Sequence, residues 1–402
     1  MIAALWVFWL AAAIILYTYT LYPLWLWFRA SLFAQPWKRD DIRPRVSVIM
    51  AVHNGAALLD QKISQLLAID YPKDLLEILI VSDGSNDGTD EILAKVVAGV
   101  RTFVLPERRG KATALNVGIR ESNGDILVFV DIRPVLERDA VRRLVENFAD
   151  RQIGCVGGEL LLRSDEHDAS TAAVSNLYWR YEQWMRKCEA RSGSLLGVYG
   201  GFYAVRRELA TQLPDGTILD DMYQPLQVAR QGYRVVLDES ARVWDVWPRT
   251  SNGEFARKVR TLAGNFQLLR LAPWLLSRQN PLRWRLFAHK LLRLLVPVLL
   301  VLLLITSWML RGSAFYSILL AAQMVFYAAA LLGLKFDNRI TRRISGPAAA
   351  FCILNAAAVA AVWKFLFTQG PLWKIWGQPQ LIYFGAPPVI EPVNPLTTET
   401  EK

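Results

Sequence analysis

Apolar residues in this chain follow two patterns: long unbroken runs near both ends, and short runs broken by polar turns in the middle. Residues 1–28 carry no charge and exceed the ~20 apolar residues that a membrane helix needs. They lack a basic leader and a small-residue cleavage site, so they read as a retained anchor. Runs at 294–310, 314–334 and 347–367 predict three further crossings. Between the ends, residues 45–52, 77–81, 100–105 and 125–131 read as strands, with helices at 58–68 and 111–120. That alternation predicts βαβ units and a mostly parallel sheet. Further on, strands at 154–160 and 198–205 flank a long helix at 169–191 rich in tyrosine and tryptophan. A basic helix at 254–271 precedes the membrane runs and is expected at the interface.

Charge then orients these elements. Arg29, Lys38 and Arg39 follow the first run, Arg283, Arg285, Lys290 and Arg293 precede the second, and Lys335, Arg339, Arg342 and Arg343 separate the last two. The hairpin between the second and third runs holds only Arg311. By the positive-inside rule the N-terminus lies outside, the central region is cytoplasmic, and three crossings leave the C-terminus outside. Lys364 within the last run leaves a re-entrant path open for that segment. Hydrophobic residues make up 53% of the 402 and charged residues 20%, so a soluble domain accompanies the anchors. The net charge of +10 suits anionic lipid and phosphorylated substrates. No nucleic-acid module signature accompanies it. Cys155, Cys188 and Cys352 are scattered and read as free thiols, and three histidines argue against a histidine metal centre. Neither Gly-x-Gly-x-x-Gly nor a P-loop is present.

Candidate chemistry sits at strand ends. The apolar run Ile126–Val130 delivers Asp131, and two residues later comes Arg133. Ligands of open α/β sheets bind beyond the carboxyl ends of strands. Asp83 ends the second strand within Asp83-Gly84-Ser85, a turn-forming sequence anywhere. Asp220 and Asp221 open a helix, where its dipole favours acids. Tyr178, Trp179, Tyr181 and Trp184 suit either packing or a sugar platform.

In order along the chain, these motifs resemble the family 2 inverting glycosyltransferases, in their membrane-anchored bacterial branch. The likeness spans residues 44–271. It rests on Val46–Asn54, on Asp83-Gly84-Ser85-Asn86-Asp87-Gly88-Thr89, on Arg109-Gly110-Lys111 through Asn116, on Asp131-Ile132-Arg133, and on Leu219-Asp220-Asp221 with Gly232 downstream. Arg257-Lys258-Val259-Arg260-Thr261 falls where polymerising members carry Gln-x-x-Arg-Trp.

The resemblance implies a GT-A-like α/β fold that binds a nucleotide-diphosphate sugar. His53, Asn54 and Asp83 would meet the nucleoside, and Lys111, Asp131, Arg257 and Arg260 the rest of the donor. Asp221 would be the general base, with Asp220 as cap or supporting acid. Gly200, Gly201, Phe202 and Trp184 would face the acceptor. Asp131 falls on the family's Asp-x-Asp, which holds Mg²⁺ or Mn²⁺ against the diphosphate. Arg133 replaces the second acid and offers a planar phosphate fork instead; the two solutions are not exclusive. Arg257 and Thr261 replace the glutamine and tryptophan of the processive motif.

The expected layout is a membrane helix at 1–28, a catalytic domain at 44–250, basic interface helices at 251–290, three crossings at 294–367 and a tail at 368–402. The expected activity moves a sugar to a lipid-linked or polysaccharide acceptor at the inner membrane of a bacterium, with polysaccharide-assembly proteins as further partners. A processive synthase that extrudes its polymer is one alternative, and an inactive nucleotide-sugar-binding scaffold is the other.

Overall fold

A computed structural model describes residues 1–95, 99–163, 169–246, 251–335, 339–368 and 372, with no side chains described for 163–178, 246, 251–254, 339–340 and 342–344. The tail expected at 368–402 lies outside these residues, apart from Thr368 and Leu372. The chain opens with α1 (Ile2–Leu16) and α2 (Tyr22–Leu32), joined by a π-helical turn at Tyr17–Leu21. The central region then runs β1 (Val46–Val52), α3 (Ala56–Leu67), β2 (Leu76–Asp83), α4 (Thr89–Ala94), β3 (Val100–Leu105), α5 (Lys111–Glu121) and β4 (Ile126–Val130). It continues with β5 (Val135–Leu136), α6 (Ala140–Glu146), β6 (Ile153–Arg163), α7 (Ala169–Arg191), β7 (Phe202–Arg206), α8 (Asp220–Arg230) and β8 (Arg234–Val246). The long α9 (Ser251–Leu271) leads to α10 (Arg283–Arg285), α11 (Leu292–Met309), α12 (Ala314–Lys335) and α13 (Arg339–Phe367).

The eight strands form one sheet in the order β3-β2-β1-β4-β7-β6-β8-β5. β3, β2, β1 and β4 are mutually parallel, as are β6 and β8, whereas β7 runs antiparallel to β4 and β6, and β5 to β8. The sheet is therefore mixed. Central strands carry apolar residues on both faces because both faces are covered. Ile49, Leu79, Leu127 and Phe129 enter one core, and Val48, Met50, Ile80, Val128 and Val130 enter the other. Period-two alternation thus feeds two layers at once.

Several expectations shift. The strand expected at 198–205 begins only at Phe202, because the Val198 N–H donates to the Asp221 carbonyl and the Phe202 N–H closes a turn on Tyr199. β8 was not anticipated; its apolar run is interrupted by Asp238-Glu239-Ser240, where the pairing with β6 shifts register. Helix α9 does not simply lie at an interface: Val259 and Ala263 are buried against Ala357 and Ala361 of α13.

Among the described residues, four helices are long and apolar enough to cross a membrane, at Ile2–Leu32, Arg283–Met309, Ala314–Lys335 and Ser345–Phe367. The first and second reach beyond the apolar runs and take in Arg29, Arg283 and Arg285. Backbone hydrogen bonding does not stop where the apolar run ends, and Arg285 is held there by the carbonyls of Glu189, Ser192 and Ser194. The soluble domain is docked to these helices through α7. The His289 ring lies between two carboxylates of that helix, with Nδ1 2.7 Å from Glu189 Oε1 and Nε2 3.3 Å from Glu182 Oε2.

Candidate active site

The parallel half of the sheet brings the carboxyl ends of β1, β2 and β4 to one edge, and the loops there are tied to one another. Asn54, in the left-handed region at φ 51°, exchanges two hydrogen bonds with Asn86, both at 2.8 Å. Its own N–H donates to Ser85 Oγ at 3.0 Å. His53 beside it is half-buried, and burial first, then the charge of Arg108, lowers its pKa. Asp83 is buried, and its two oxygens accept the N–H groups of Arg109 at 2.7 Å and Gly110 at 2.8 Å. The acid expected at the nucleoside therefore also fixes the turn that starts α5 and aims Lys111. Gly84, at φ +59°, admits no side chain: a Cβ would lie 2.3 Å from the Arg108 nitrogen.

Lys111 connects the two halves of the site. Its Nζ lies 3.0 Å from Asp131 Oδ1 and 3.2 Å from Asp220 Oδ2. Burial would lower its pKa, but Asp131 and Asp220 more than offset this and hold it above the ordinary value. The antiparallel pairing of Val130 with Phe202 sets the Tyr199–Gly201 turn beside Asp131, whose N–H donates to the Gly201 carbonyl at 3.2 Å. Asp221 closes the other side of that turn. A Cβ at Gly200 would come within 3.1 Å of Asp221 Oδ2, so glycine leaves the room that the carboxylate occupies. Burial, then the adjacent Asp220, pushes the Asp221 carboxyl up to about 6, while Lys111 and Arg186 act against the shift. Burial also raises Asp220.

Arg133 meets an acid that the sequence reading missed. Its Nη2 donates to Asp245 Oδ2 at 2.7 Å, and the Tyr199 hydroxyl lies 3.4 Å from the same oxygen. Burial lowers the Arg133 pKa, but Asp245, with Tyr199 and Asp131, more than offsets it and leaves it raised. Lys62 of α3 is a second omission. Buried beneath this loop, it donates to the Pro134 carbonyl at 2.6 Å, and burial lowers its pKa to about 7 against the pull of Asp131 and Asp245. Asp245 ends the unanticipated β8, and Lys62 reads as one polar position of an amphipathic helix; neither carried a motif. Arg257 of α9 is near enough to Tyr199 for its charge to act on the phenol, and Arg260 is half-buried one turn on. Trp184 is placed differently: with Tyr181 it packs on the cluster of Tyr22, Leu26, Ala30, Met185 and Ala288 that joins α7 to the membrane helices. The side chain of Tyr178 lies outside the described residues.

Asp131 would be the protein's ligand to a divalent ion, with the remaining ligands left to the donor's phosphates. The Asp131 carboxylate is paired with Lys111, position 133 is itself a cation, and no group of three His, Cys, Asp or Glu suited to a metal occurs among the described residues. Lys111 and Arg133 are the cations here, each already paired with carboxylates: Lys111 with Asp131 and Asp220, Arg133 with Asp245.

Residues 47–213 match the family model described as glycosyl transferase family 2. A poly-β-1,6-N-acetyl-D-glucosamine synthase of Staphylococcus aureus (strain COL) is 26% identical over 248 residues, covering 60% of this chain and 59% of that protein. A probable glycosyltransferase of Bacillus subtilis (strain 168), YdaM, is 28% identical over 237 residues, covering 55% of each chain. The chain thus spans little more than half the length of these relatives. Among solved structures, the mannosyltransferase PcManGT from Pyrobaculum calidifontis, in complex with GDP-Man and Mn²⁺, superposes with a TM-score of 0.66 at 24% identity, covering 90% of this chain and 99% of that one. The likeness establishes a GT-A-like fold.

Proposed function

We propose, from the premise that this chain carries a glycosyl transferase family 2 domain, that it transfers a sugar with inversion from a nucleotide-diphosphate donor to a membrane-associated acceptor. The observation that carries the reading is the convergence of Asp131, Lys111, Asp220 and Asp221 beside the Gly200-Gly201 turn at the carboxyl edge of the sheet. Inverting transfer needs a base for the acceptor hydroxyl and positive charge for the departing nucleoside diphosphate. Asp221, with its pKa near 6, is ionised at neutral pH yet more basic than an ordinary aspartate. Lys111 is held protonated, and the Arg133 guanidinium, released from Asp245 or shared with it, binds phosphate oxygens in a planar fork. His53 and Asn54 line the nucleoside end; Arg257 and Arg260 approach from α9.

The basic flanks of the membrane helices support a cytoplasmic catalytic domain on the inner membrane of a bacterium, where a lipid-linked or polysaccharide acceptor is at hand. A second reading, a processive synthase, is favoured by the name of the staphylococcal relative. Product length separates the two: one added sugar against a ladder. The primary test is nucleotide release by the full chain in nanodiscs across a panel of UDP-, GDP-, ADP- and dTDP-sugars, with and without EDTA. Release from at least one donor supports transfer, and release that survives EDTA supports neutralisation by Lys111 and Arg133. Tight donor binding without release would favour a scaffold.

A further inference from the structure

Helix α9 presents two stripes of side chains. Along one, Val259 and Ala263 are buried against Ala357 and Ala361 of α13, and Phe266 stacks on Phe365 with ring centroids 5.7 Å apart. The second stripe, Gly264, Gln267 and Leu268, follows the three-and-four spacing of one helix face. It meets the loop 216–219 that leads into Asp220. A Cβ at Gly264 would lie 2.7 Å from Leu219 Cγ and 3.2 Å from Ile218 Cγ2, so the helix and loop touch through a glycine. Gln267 is buried and bonds the loop twice, accepting the Ile218 N–H at 3.0 Å and donating to the Gly216 carbonyl at 2.8 Å. Leu219 is the residue before α8, and its carbonyl accepts the Tyr223 N–H at 2.9 Å. A shift of this loop is therefore passed directly to Asp220 and Asp221.

We propose that Gln267 is a positioning residue for the Asp220–Asp221 pair, and that the packing of α9 on α13 makes the placement of these acids depend on the last membrane helix. The proposal rests on the reading of Asp221 as general base. The Asp221 backbone is also tied to the Val198 N–H at 2.9 Å, so Gln267 sets the loop side of its placement, and misplacement by about 1 Å can lower a rate roughly 10²-fold. The packing of α9 on α13 gives the membrane a direct mechanical link to the chemistry, one that bypasses the donor subsite at β1 and β2.

The test uses the full chain in nanodiscs, with UDP-N-acetylglucosamine and GDP-mannose as donor probes in nucleotide release and hydrogen exchange read on the loop. Gln267→Leu is expected to lower kcat about tenfold to hundredfold with donor Kd unchanged, to speed exchange of the Ile218 amide, and to move the acid limb of kcat to lower pH as water reaches Asp221. Gly264→Ala, which pushes on Leu219, should act in the same direction, and adding Leu219→Ala should restore part of the loss. If Gln267→Leu does not fold, Gly264→Ala carries the test. Asp221→Asn is measured beside them. An active Asp221→Asn enzyme sinks the assignment of the base. Wild-type kcat, acid limb and Ile218 exchange in both α9 variants, beside an inactive Asp221→Asn enzyme, overturn the positioning role alone.

Discussion

Two of the charge clusters among the described residues are built to opposite plans. The anchor cluster joins α7 to the membrane helices. His289 has a carboxylate at each ring nitrogen, Glu182 also pairs with Arg293, and the Arg285 guanidinium donates to the carbonyls of Glu189, Ser192 and Ser194 and to Ser192 Oγ. Its side chains are 0% exposed at His289 and 2% at Glu189. Burial would raise the Glu182 pKa, yet Arg293, Lys290 and His289 hold it well below the ordinary carboxylate range. At the sheet edge, by contrast, side-chain exposure is 39% for Asp131, 29% for Lys111 and 37% for Arg133. There a carboxyl is raised to about 6, and the cations, although paired with Asp131, Asp220 and Asp245, keep an exposed side. Charges closed on one another hold structure together; charges that keep an open side are available for chemistry.

Substitutions sharpen that contrast. The largest effect is expected from Asp221→Asn, which removes the proposed base and should lower turnover by roughly 10²–10⁴-fold with no fall in Tm. Glu182→Ala should do the reverse. It leaves buried cations uncompensated at a cost of about 3–5 kcal/mol, read as lost folded protein in detergent, while the surviving fraction binds donor normally. Equal loss of turnover and folding in both variants would erase the distinction between the clusters. Arg133→Ala comes next: losing a charge-assisted phosphate contact worth about 1.5–3 kcal/mol should raise the donor KM roughly tenfold to hundredfold, and unchanged kinetics would return Arg133 to a purely structural pair with Asp245.

The smallest effect is the pH dependence. The base must be ionised to act, so the rate should fall as pH drops below about 6, the value to which burial lifts Asp221. A limb in the ordinary aspartate range, near ~4, would mean that water reaches the carboxyl.

What could be read in the sequence follows the same division. The parallel strands and their end residues were legible because buried central strands are uninterrupted apolar runs, and Asp83 and Asp131 sit where such runs stop, whereas Asp221 was legible as an acid at a helix start. The mixed character of the sheet was not, since nothing local to Phe202–Arg206 says that it pairs antiparallel to β4. β8 was obscured by Asp238-Glu239-Ser240, and with it Asp245, the partner of Arg133. Lys62 and Gln267 are single polar residues on helices, indistinguishable by spacing from solvated positions until the loops they hold are in place. The aromatic residues of α7 suited packing more often than a sugar platform, and Trp184 and Tyr181 are packed where the helix meets the membrane anchors.

The most direct measurement is transfer of radiolabelled sugar from the donor selected by the nucleotide-release panel into the lipid-extractable or polymeric fraction of membranes, by the wild-type full chain and by Asp221→Asn in parallel. The account predicts label in product for the wild type and its near-complete loss in the variant at unchanged donor affinity. Equal incorporation by both chains, or donor binding by the wild type with no label transferred, would contradict it.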